Sequence, residues 1–405
     1  MTLPYKNLSE ITNNIQSRDI VIFGSGKIAK NTIHLFKKFN IKFIVDNSEN
    51  LWGTRYDGKK VLSPSNLKNK NGKFFVLICS TSINEISKQL IDYNFKSQKD
   101  FNISPILENH KIIDDLESIE RNNIIFTSGS AINSKSNKYG GGLYKLKIDK
   151  YKWDYEKIYN GCCYGIKVLK EEVIVIDDNY GVIVFDKKKL KIKKKIKLPK
   201  NIRPHGIEYS PELKRFYICC TQIDKILEFN NKFKLIKKIS ISDKFKYTAY
   251  KQHHINDCYI QNNYIYISMF SISGNYNSEV YDGGILEINL KNNKQRSVLC
   301  NNLWMPHNVY SFNESIHVLN SLKGELLAYN LMKIGEFPAF TRGLEFDNGL
   351  YFIGQSRNRN FSKYLGVSNN ISIDAGIIIF DGSTKVSRFL QFDPRVSEIH
   401  SIKLI

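Results

Sequence analysis

The feature that most constrains the fold is a short pattern that recurs through the C-terminal part of this 405-residue chain. A small residue is followed by three or four mostly apolar residues, an aromatic or aliphatic residue, and then Asp or Asn. One degenerate copy and five clear copies begin at Gly142, Gly181, Lys225, Gly284, Gly324 and Gly376. Repeats about 40–60 residues apart, each among short alternating strands, are typical of a propeller with one blade per repeat. Residues 123–405 are therefore predicted to form a six-bladed β-propeller.

A second repeat, out of phase with the first, gives the same count. Each copy is a predicted strand that opens with a polar residue, and these openings are Tyr164, His205, His254, His307, Arg342 and His400. The opening strand at His400 is followed by no further strands of a blade, whereas residues 123–129 look like the second strand of a blade that lacks its first strand. We therefore expect the ring to close by pairing of Ser401–Ile405 with the 123–160 segment. Two polar insertions, 271–283 and 357–376, are predicted to cover a binding face.

Four of the six opening positions hold histidine, which points to a site in the central channel. His205, His254, His307 and His400 are four of the eight histidines in the chain. The innermost strand of each blade lines the channel, so side chains at its start should converge on the axis. Converging imidazoles can hold a divalent transition metal, Zn or Fe, and leave a position for water or substrate. The alternative is a ring of neutral, hydrogen-bonded histidines without metal.

Arg342 and Tyr164 occupy the two remaining opening positions and are the candidate catalytic residues. Arg342 is expected to bind an anionic or carbonyl group of a substrate, or else to form a structural salt bridge with Glu345 or Glu398. Tyr164 is either a proton donor or an aromatic residue of the channel wall. Four polar neighbours could orient the second nitrogens of the histidines, namely Asn256, Asp257, Asn308 and Glu398.

The first hundred residues read as a separate nucleotide-binding unit. A short apolar strand at 19–24 runs into a glycine turn and a helix, and a second buried strand ends at Asp46. In a dinucleotide-type βαβ unit, Gly24 would permit the turn, Gly26 would let a phosphate approach the backbone, and Asp46 would reach a ribose diol. The alternative is a similar unit that binds nothing.

This unit resembles the small Rossmann domains attached to nucleotide-sugar and saccharide-modifying enzymes, on the stretch IVDNSENLWGTRYDGKKVLSPSNL. The resemblance covers roughly residues 18–105 and implies a nucleotide or nucleotide-sugar ligand. We therefore expect a Rossmann-like nucleotide-binding domain over 1–110, a linker over 111–122 and the propeller over 123–405, which together make an α/β plus all-β chain.

The net charge of +21 taken alone would suggest a polyanionic partner. The excess is mostly Lys spread along the chain, and the densest patch, 187–200, alternates Lys with apolar residues like a strand with a solvated basic face. This charge pattern therefore argues against nucleic acid as a partner. The longest apolar runs are too short to span a membrane, and the N-terminus lacks a signal-peptide pattern, so we expect a cytoplasmic protein.

The segments RPHGIEYS, HHINDCY, WMPHNVYSFNESIHVLNSLKGEL and FPAFTRGLEFDNGLYFIGQSRNRN resemble a family of bacterial proteins of unknown function built as His-rich six-bladed propellers. The resemblance covers roughly residues 160–360 and implies a fold and a site but no reaction. By analogy of fold alone, the arrangement is also similar to the zinc lyase domain that cleaves peptidyl-hydroxyglycine.

These observations predict a metal-dependent enzyme, a lyase or hydrolase, that acts on a small polar substrate such as a sugar or sugar nucleotide. The alternative is a non-catalytic propeller that serves as a scaffold or binding module in saccharide biosynthesis. A complete NAD-dependent dehydrogenase ranks third, because nothing in the propeller resembles a domain that closes over nicotinamide.

Overall fold

A computed structural model describes residues 8–129, 138–244, 250–312, 315–357 and 371–405. The chain divides into two compact units, Met1–Glu117 and Ser118–Ile405. Of the two predicted insertions, 271–283 is described, whereas residues 358–370 of 357–376 lie outside the described residues. Within the described ranges, no helix combines the length and the hydropathy needed to cross a bilayer.

The described residues of unit 1 form a six-stranded mixed sheet and four α-helices. The helices are α1 Leu8–Ile15, α2 Lys27–Leu35, α3 Ile83–Asp92 and α4 Glu108–Glu117, and the strands are β1 Asp19–Phe23, β2 Ile41–Val45, β3 Arg55–Tyr56, β4 Lys59–Leu62, β5 Phe74–Ile78 and β6 Phe101–Ile103. The strand order is β3-β4-β2-β1-β5-β6. The β3–β4 pair is antiparallel and the other pairs are parallel.

The central strands of unit 1 are mostly apolar because both faces of the sheet are covered. Every residue of β5 is buried, and so are four of the five in β1. The predicted strand, glycine turn and helix at residues 19–35 form as β1 and α2. The short strands β3, β4 and β6 were not predicted, since two to four residues are too few to show a period.

The segment 111–122, predicted as a linker, contains the boundary between the two units and parts of two regular elements. Residues 108–117 form α4, and β7 of the second unit begins at Glu120. Leu116 is buried, and so is the side chain of Lys111, which forms an ion pair with Asp115 one turn later. Burial of one helix face stabilises this segment as a helix.

Unit 2 is a six-bladed β-propeller, as the repeats predicted. Its strands are β7 Glu120–Ser128, β8 Gly142–Asp149, β9 Lys152–Asn160, β10 Cys163–Val168, β11 Glu172–Asp177, β12 Gly181–Asp186, β13 Ile192–Lys197, β14 Pro204–Ser210, β15 Arg215–Cys220, β16 Lys225–Asn230, β17 Leu235–Ser240, β18 Ile255–Gln261, β19 Tyr264–Met269, β20 Gly283–Asn289, β21 Arg296–Leu303, β22 His307–Phe312, β23 Ser315–Asn320, β24 Glu325–Ala328, β25 Met332–Glu336, β26 Phe340–Asp347, β27 Leu350–Ser356, β28 Gly376–Asp381, β29 Ser387–Gln391 and β30 Ser401–Leu404. Five sheets take four consecutive strands each, from β10–β13 to β26–β29.

The sixth sheet closes the ring. Its strand order is β30-β7-β8-β9, so the C-terminal strand becomes the innermost strand of the blade that the first three strands begin. The pairing is antiparallel, with Ser401 opposite Thr127 and Leu404 opposite Ile124. The predicted closure is confirmed, and it places the start of β30 beside the channel with the other innermost strands.

Glycines allow the innermost strands to approach one another closely. A Cβ added to Gly165 would lie 2.6 Å from the carbonyl oxygen of His205, and one added to Gly206 would lie 2.5 Å from Asp257 Oδ1. Both glycines directly follow an opening residue, Tyr164 or His205. Any side chain at these positions would push the strands apart and widen the ring at the level of the site.

Candidate functional site in the propeller channel

The six opening residues line one cavity of about 200 Å³ in the channel. The other residues that line it are Arg203, Lys251, Phe270, Tyr276, Met305, Phe340 and Glu398. The Tyr164 ring lies between two imidazoles, with ring centroids 4.2 Å from His205 and 4.4 Å from His400. Tyr276 comes from the 271–283 insertion, which was predicted to cover a binding face.

Backbone hydrogen bonds and aromatic contacts fix His254 and His307. His254 has a φ of +53°, and Asp224 Oδ1 accepts a hydrogen bond from its backbone N–H at 3.2 Å. The His254 ring stacks on Phe270 with the two planes 5° apart and the centroids 4.2 Å apart. His307 packs against the edge of the same Phe270 ring at 5.2 Å.

Hydroxyl groups from the neighbouring strand ends contact the Nδ1 atoms of two histidines. Thr221 Oγ1 lies 3.1 Å from His205 Nδ1, and Ser321 Oγ lies 2.9 Å from His307 Nδ1. Thr221 and Ser321 each begin a 3₁₀ turn after the second strand of a blade. Each of these two blades therefore supplies both a histidine and the hydroxyl group that contacts it.

Burial keeps these imidazoles neutral. It lowers the pKa values of His205, His254 and His307 well below the ordinary value, and neighbouring positive charges lower them further. Two ring nitrogens, His205 Nε2 and His254 Nδ1, are buried and have no hydrogen-bond partner among the residues that the structure describes. Orphaned polar atoms of this kind are costly unless a ligand or water satisfies them.

Glu398 connects Arg342 with His400. Its Oε2 lies 3.0 Å from His400 Nε2 and 3.4 Å from Arg342 Nη1, and the three side chains are at most about one-seventh exposed. The Nε2-protonated tautomer of His400 donates to this carboxylate, which leaves the lone pair on Nδ1. Burial and then the charge of Arg342 lower the pKa of His400 to about 4, although Glu398 opposes the change.

The salt bridge considered for Arg342 therefore exists, and its partner is Glu398. Glu345, the other acid considered, instead pairs with Lys403 at 2.9 Å. The guanidinium of Arg342 also lies over the ring of Phe340, 4.6 Å from its centroid. Despite the ion pair, Arg342 still lines the cavity.

Sequence reasoning missed two cations of the cavity, Arg203 and Lys251. Arg203 lies two residues before His205 and Lys251 three before His254, so both fall outside the innermost strands from which the prediction was made. Arg203 has a φ of +49°, and Met305, at the same offset from His307, has +51°. A Pro-His pair follows both Arg203 and Met305 in the sequence. This shared pair could have indicated that the two residues hold equivalent places in the repeat.

The cavity is strongly electropositive. Its described lining carries three cations, Arg203, Lys251 and Arg342, and one carboxylate, Glu398. Lys251 is only 8% exposed, and burial followed by the charge of Arg203 lowers its pKa. Positive charges held this close together in a space of low dielectric attract an anion strongly.

The three remaining polar neighbours predicted near the site, Asn256, Asp257 and Asn308, do not line the central cavity but a second, smaller one. This second cavity has about 20 Å³, and His205, His307 and His400 also line it. The side-chain amide of Asn308 donates to Asp257, and Asn308 Oδ1 accepts from the Gly343 backbone N–H at 2.6 Å. Burial raises the pKa of Asp257 to about 6. These contacts join the innermost strands to one another.

Over the part of the chain that the structure describes, no group of three or more His, Cys, Asp or Glu side chains is placed to hold a metal ion. His400 Nε2 already faces Glu398, and a divalent cation would also meet the charges of Arg203, Lys251 and Arg342. Zn or Fe binding by His205, His254, His307 and His400 stays a prediction.

The predicted nucleotide-site residues of unit 1 lie around the turn between β1 and α2. Gly24 has a φ of +105°, and Gly26 precedes α2 with no atom within 4 Å of an added Cβ. Asp46 Oδ2 accepts from the backbone N–H of Ser25 at 2.9 Å and from its hydroxyl at 2.7 Å, and Oδ1 accepts from the Ser48 N–H at 2.9 Å. Asp46 thus holds the glycine turn in place.

Two family models match the chain. One, described as a domain of unknown function (DUF4915), matches residues 153–405, and the other, described as C2185-like, N-terminal, matches residues 16–101. None of the curated proteins compared with the chain matches it.

Several solved structures are similar to the propeller. A nidogen/laminin complex has 9% identity and a TM-score of 0.48, over 70% of this chain and 97% of that chain. A protein of unknown function from Bacteroides caccae has 14% identity and a TM-score of 0.47, over 70% and 98%. A putative 6-phosphogluconolactonase from Bacteroides fragilis has 12% identity and a TM-score of 0.40, over 67% and 82%. Likenesses this distant say nothing about the activity of this chain.

Proposed function

Because the chain belongs to the DUF4915 family, whose description assigns no activity, we propose a function from the geometry of its own cavity. The central cavity binds a small organic anion, a carboxylate or phosphate ester of sugar-like size, and the chain acts on it as a lyase or hydrolase. The observation that carries this proposal is the meeting of three cations with neutral, buried imidazoles in one cavity.

The size of the cavity limits the reacting group. A water molecule takes about 30 Å³ of liquid volume, so a cavity of about 200 Å³ holds the equivalent of roughly seven waters. A sugar acid or a small hydroxy acid is of this size, whereas a sugar nucleotide is too large to enter whole. The buried nitrogens of His205 and His254 are available to bind its hydroxyl groups.

The charges and hydrogen bonds assign a role to each side chain. Arg203, Lys251 and Arg342 hold the anionic group, and the planar guanidinium of Arg342 can bind a carboxylate through two parallel hydrogen bonds. His400, oriented by Glu398, exchanges a proton through Nδ1. Burial and then the nearby Cys162 raise the pKa of Tyr164, so its hydroxyl stays protonated and can donate.

Metal-dependent chemistry at the four histidines is the second candidate. The unpaired nitrogens of His205 and His254 favour it, since both can act as ligands. The three cations in the same cavity oppose it, because each would repel a divalent ion. If bound, such an ion would polarise a carbonyl group or lower the pKa of a water. The third candidate, a non-catalytic scaffold, would use the cavity for binding alone.

Binding of a panel of acids to wild type and Arg342→Lys tests the proposal. We expect sugar acids and inorganic phosphate to bind wild type in isothermal titration calorimetry. The lysine keeps the charge but loses the paired hydrogen bonds, so we expect about ten- to a hundredfold weaker carboxylate binding. Arg388→Lys on the outer strand β29 is the matched control and should bind as wild type does.

The outcomes separate the candidates. Metal analysis of the same preparations is expected to find no stoichiometric transition metal. About one metal per chain, lost in both His205→Ala and His307→Ala, would instead support the metal enzyme. No binding of any acid would overturn the proposal, and binding without turnover of any acid would favour the scaffold.

We also propose that unit 1 is a Rossmann-like nucleotide-binding domain. Its support is the β1 strand, the Gly24–Gly26 turn and the α2 helix, followed by a parallel β2 strand that ends before Asp46. Helix N-termini attract phosphate groups, and the space at Gly26 is open. Asp46 would have to exchange a hydrogen bond with Ser25 or Ser48 to reach a ribose.

A further inference from the structure

A groove on the propeller surface adjoins the central cavity, and Arg203 lines both. It is a groove of about 660 Å³, more than three times the volume of the cavity, and lies between the first two complete blades. Its polar lining residues are Asp178, Asn179, Tyr180, Lys200, Asn201, Arg203 and Gln222. A molecule held at Arg203 inside the cavity could therefore continue into the groove.

The backbone around Arg203 is held firmly in an unfavourable conformation. Its φ of +49° lies in the left-handed region, which a long side chain rarely adopts. The Thr221 N–H donates to the carbonyl oxygen of Arg203 at 3.0 Å, and the Gln222 N–H donates to that of Ile202 at 3.1 Å. Strained residues fixed in this way are concentrated at ligand sites. These bonds place Arg203 at the boundary between the groove and the cavity.

The groove has a different chemical character from the cavity. Asn179, Asn201 and Gln222 offer uncharged donors and acceptors, and the charged residues are Asp178, Lys200 and the shared Arg203, a surplus of one positive charge. Burial lowers the pKa of Arg203, but Tyr164 and then the charge of Asp178 outweigh this and raise it. A polyhydroxylated group suits such a lining better than a diphosphate, whose two negative charges exceed the one surplus positive charge of the groove.

We propose that the groove is a saccharide subsite and that the substrates are acidic saccharides. In such a substrate the acidic sugar occupies the central cavity, and at least one further sugar unit occupies the groove. This inference rests on the proposed function, because it takes the acid in the cavity as its starting point. It adds the class of substrate, an acid-bearing saccharide larger than a single sugar.

The test compares glucuronate with aldobiouronic acids, in which glucuronate is linked to one neutral sugar, over several linkages. In calorimetric titrations of the full chain, we expect at least one disaccharide to bind about tenfold tighter than glucuronate. Asn179→Trp, at an exposed position of the groove, should remove this gain and leave glucuronate binding within about threefold of wild type. UDP-glucuronate serves as the nucleotide-linked comparison.

A second groove of the propeller provides the matched control. It has about 720 Å³, and no residue of its lining belongs to the central cavity. Lys147→Trp in that groove should leave all affinities unchanged. If glucuronate binds but no disaccharide binds more tightly than it does, the saccharide subsite is overturned while the anion site stands. The same holds if only UDP-glucuronate binds more tightly than glucuronate. If neither glucuronate nor any other acid binds, the proposed function itself fails.

Discussion

Glu398 accepts hydrogen bonds from Arg342 and from His400. Through this shared carboxylate, the charge of Arg342 is coupled to the protonation of His400. Arg342 is among the causes of the low pKa of His400, about 4. An anion bound to Arg342 would offset that repulsion. The imidazole should therefore become more basic when substrate is present, which is when a proton acceptor is needed.

We predict that anion binding raises the pKa of His400. Since the complex then holds a proton more tightly than the free protein, affinity should rise as pH falls from the raised pKa of the complex toward about 4. Titration of the His400 ring by NMR, with and without glucuronate, measures this directly. Calorimetry in buffers of different ionisation enthalpy should show proton uptake.

His400→Gln provides the control for this coupling. The glutamine keeps a side chain that can bond to Glu398 but does not titrate, so binding should persist with less proton uptake. Proton uptake equal to that of wild type would assign it to another group. The same pKa of His400 with and without bound anion would contradict the coupling.

The innermost strands and the turns that precede them form the site as a group. Each strand supplies one side chain at its start, and the turns before β14 and β18 add Arg203 and Lys251. Because these elements come from separate blades, the cavity exists only while the ring is closed. The pairing of β30 with β7 completes it and brings His400 to the other five opening residues.

We predict that weakening this closure destabilises the propeller. Ile402 on β30 is fully buried and lies opposite Phe126, so Ile402→Ala should lower the free energy of unfolding by about 2–5 kcal/mol. Ile192→Ala on the outer strand β13, where the side chain is 44% exposed, should cost much less. Urea denaturation followed by circular dichroism compares the two variants. Equal losses would mean that the closing strand adds no special stability.

The whole chain combines two units with separate cores and separate candidate sites. The nucleotide site proposed at Gly24–Gly26 and the anion site proposed in the propeller would suit a protein that uses nucleotide-linked or acidic sugars. Each site can be tested alone, since the substitutions proposed for one unit lie outside the other.

We predict that a nucleotide or nucleotide sugar raises the melting temperature of the chain and protects residues 18–50 from proteolysis. Gly26→Trp should abolish the effect, because an added Cβ there meets no atom within 4 Å and the indole would fill the open space. Lys88→Trp, at an exposed position of α3, is the control. Unchanged melting across UDP-, GDP- and CMP-sugars and NAD would leave unit 1 without a nucleotide role.

The sequence by itself determined the number of blades, the closure of the ring and the six opening positions. Each depends on a local period: alternating apolar residues bury one strand face, and the repeat places equivalent residues at equivalent points. The glycine turn at Gly24 could likewise be predicted from the sequence, because a positive φ favours glycine. The 3₁₀ turns with Thr221 and Ser321 repeat too, and a closer comparison of the blades would have found them.

Only the tertiary structure decided which charges meet. Arg203 and Lys251 lie outside the strand pattern, in the turns before β14 and β18, and line the cavity from there. The sequence named two acids as possible partners for Arg342, and the structure pairs Arg342 with Glu398 and Glu345 with Lys403. Asp46 likewise lies 21 residues from Ser25 and caps it through the parallel pairing of β1 and β2. Electrostatic interactions depend on distance in space, which a local pattern does not record.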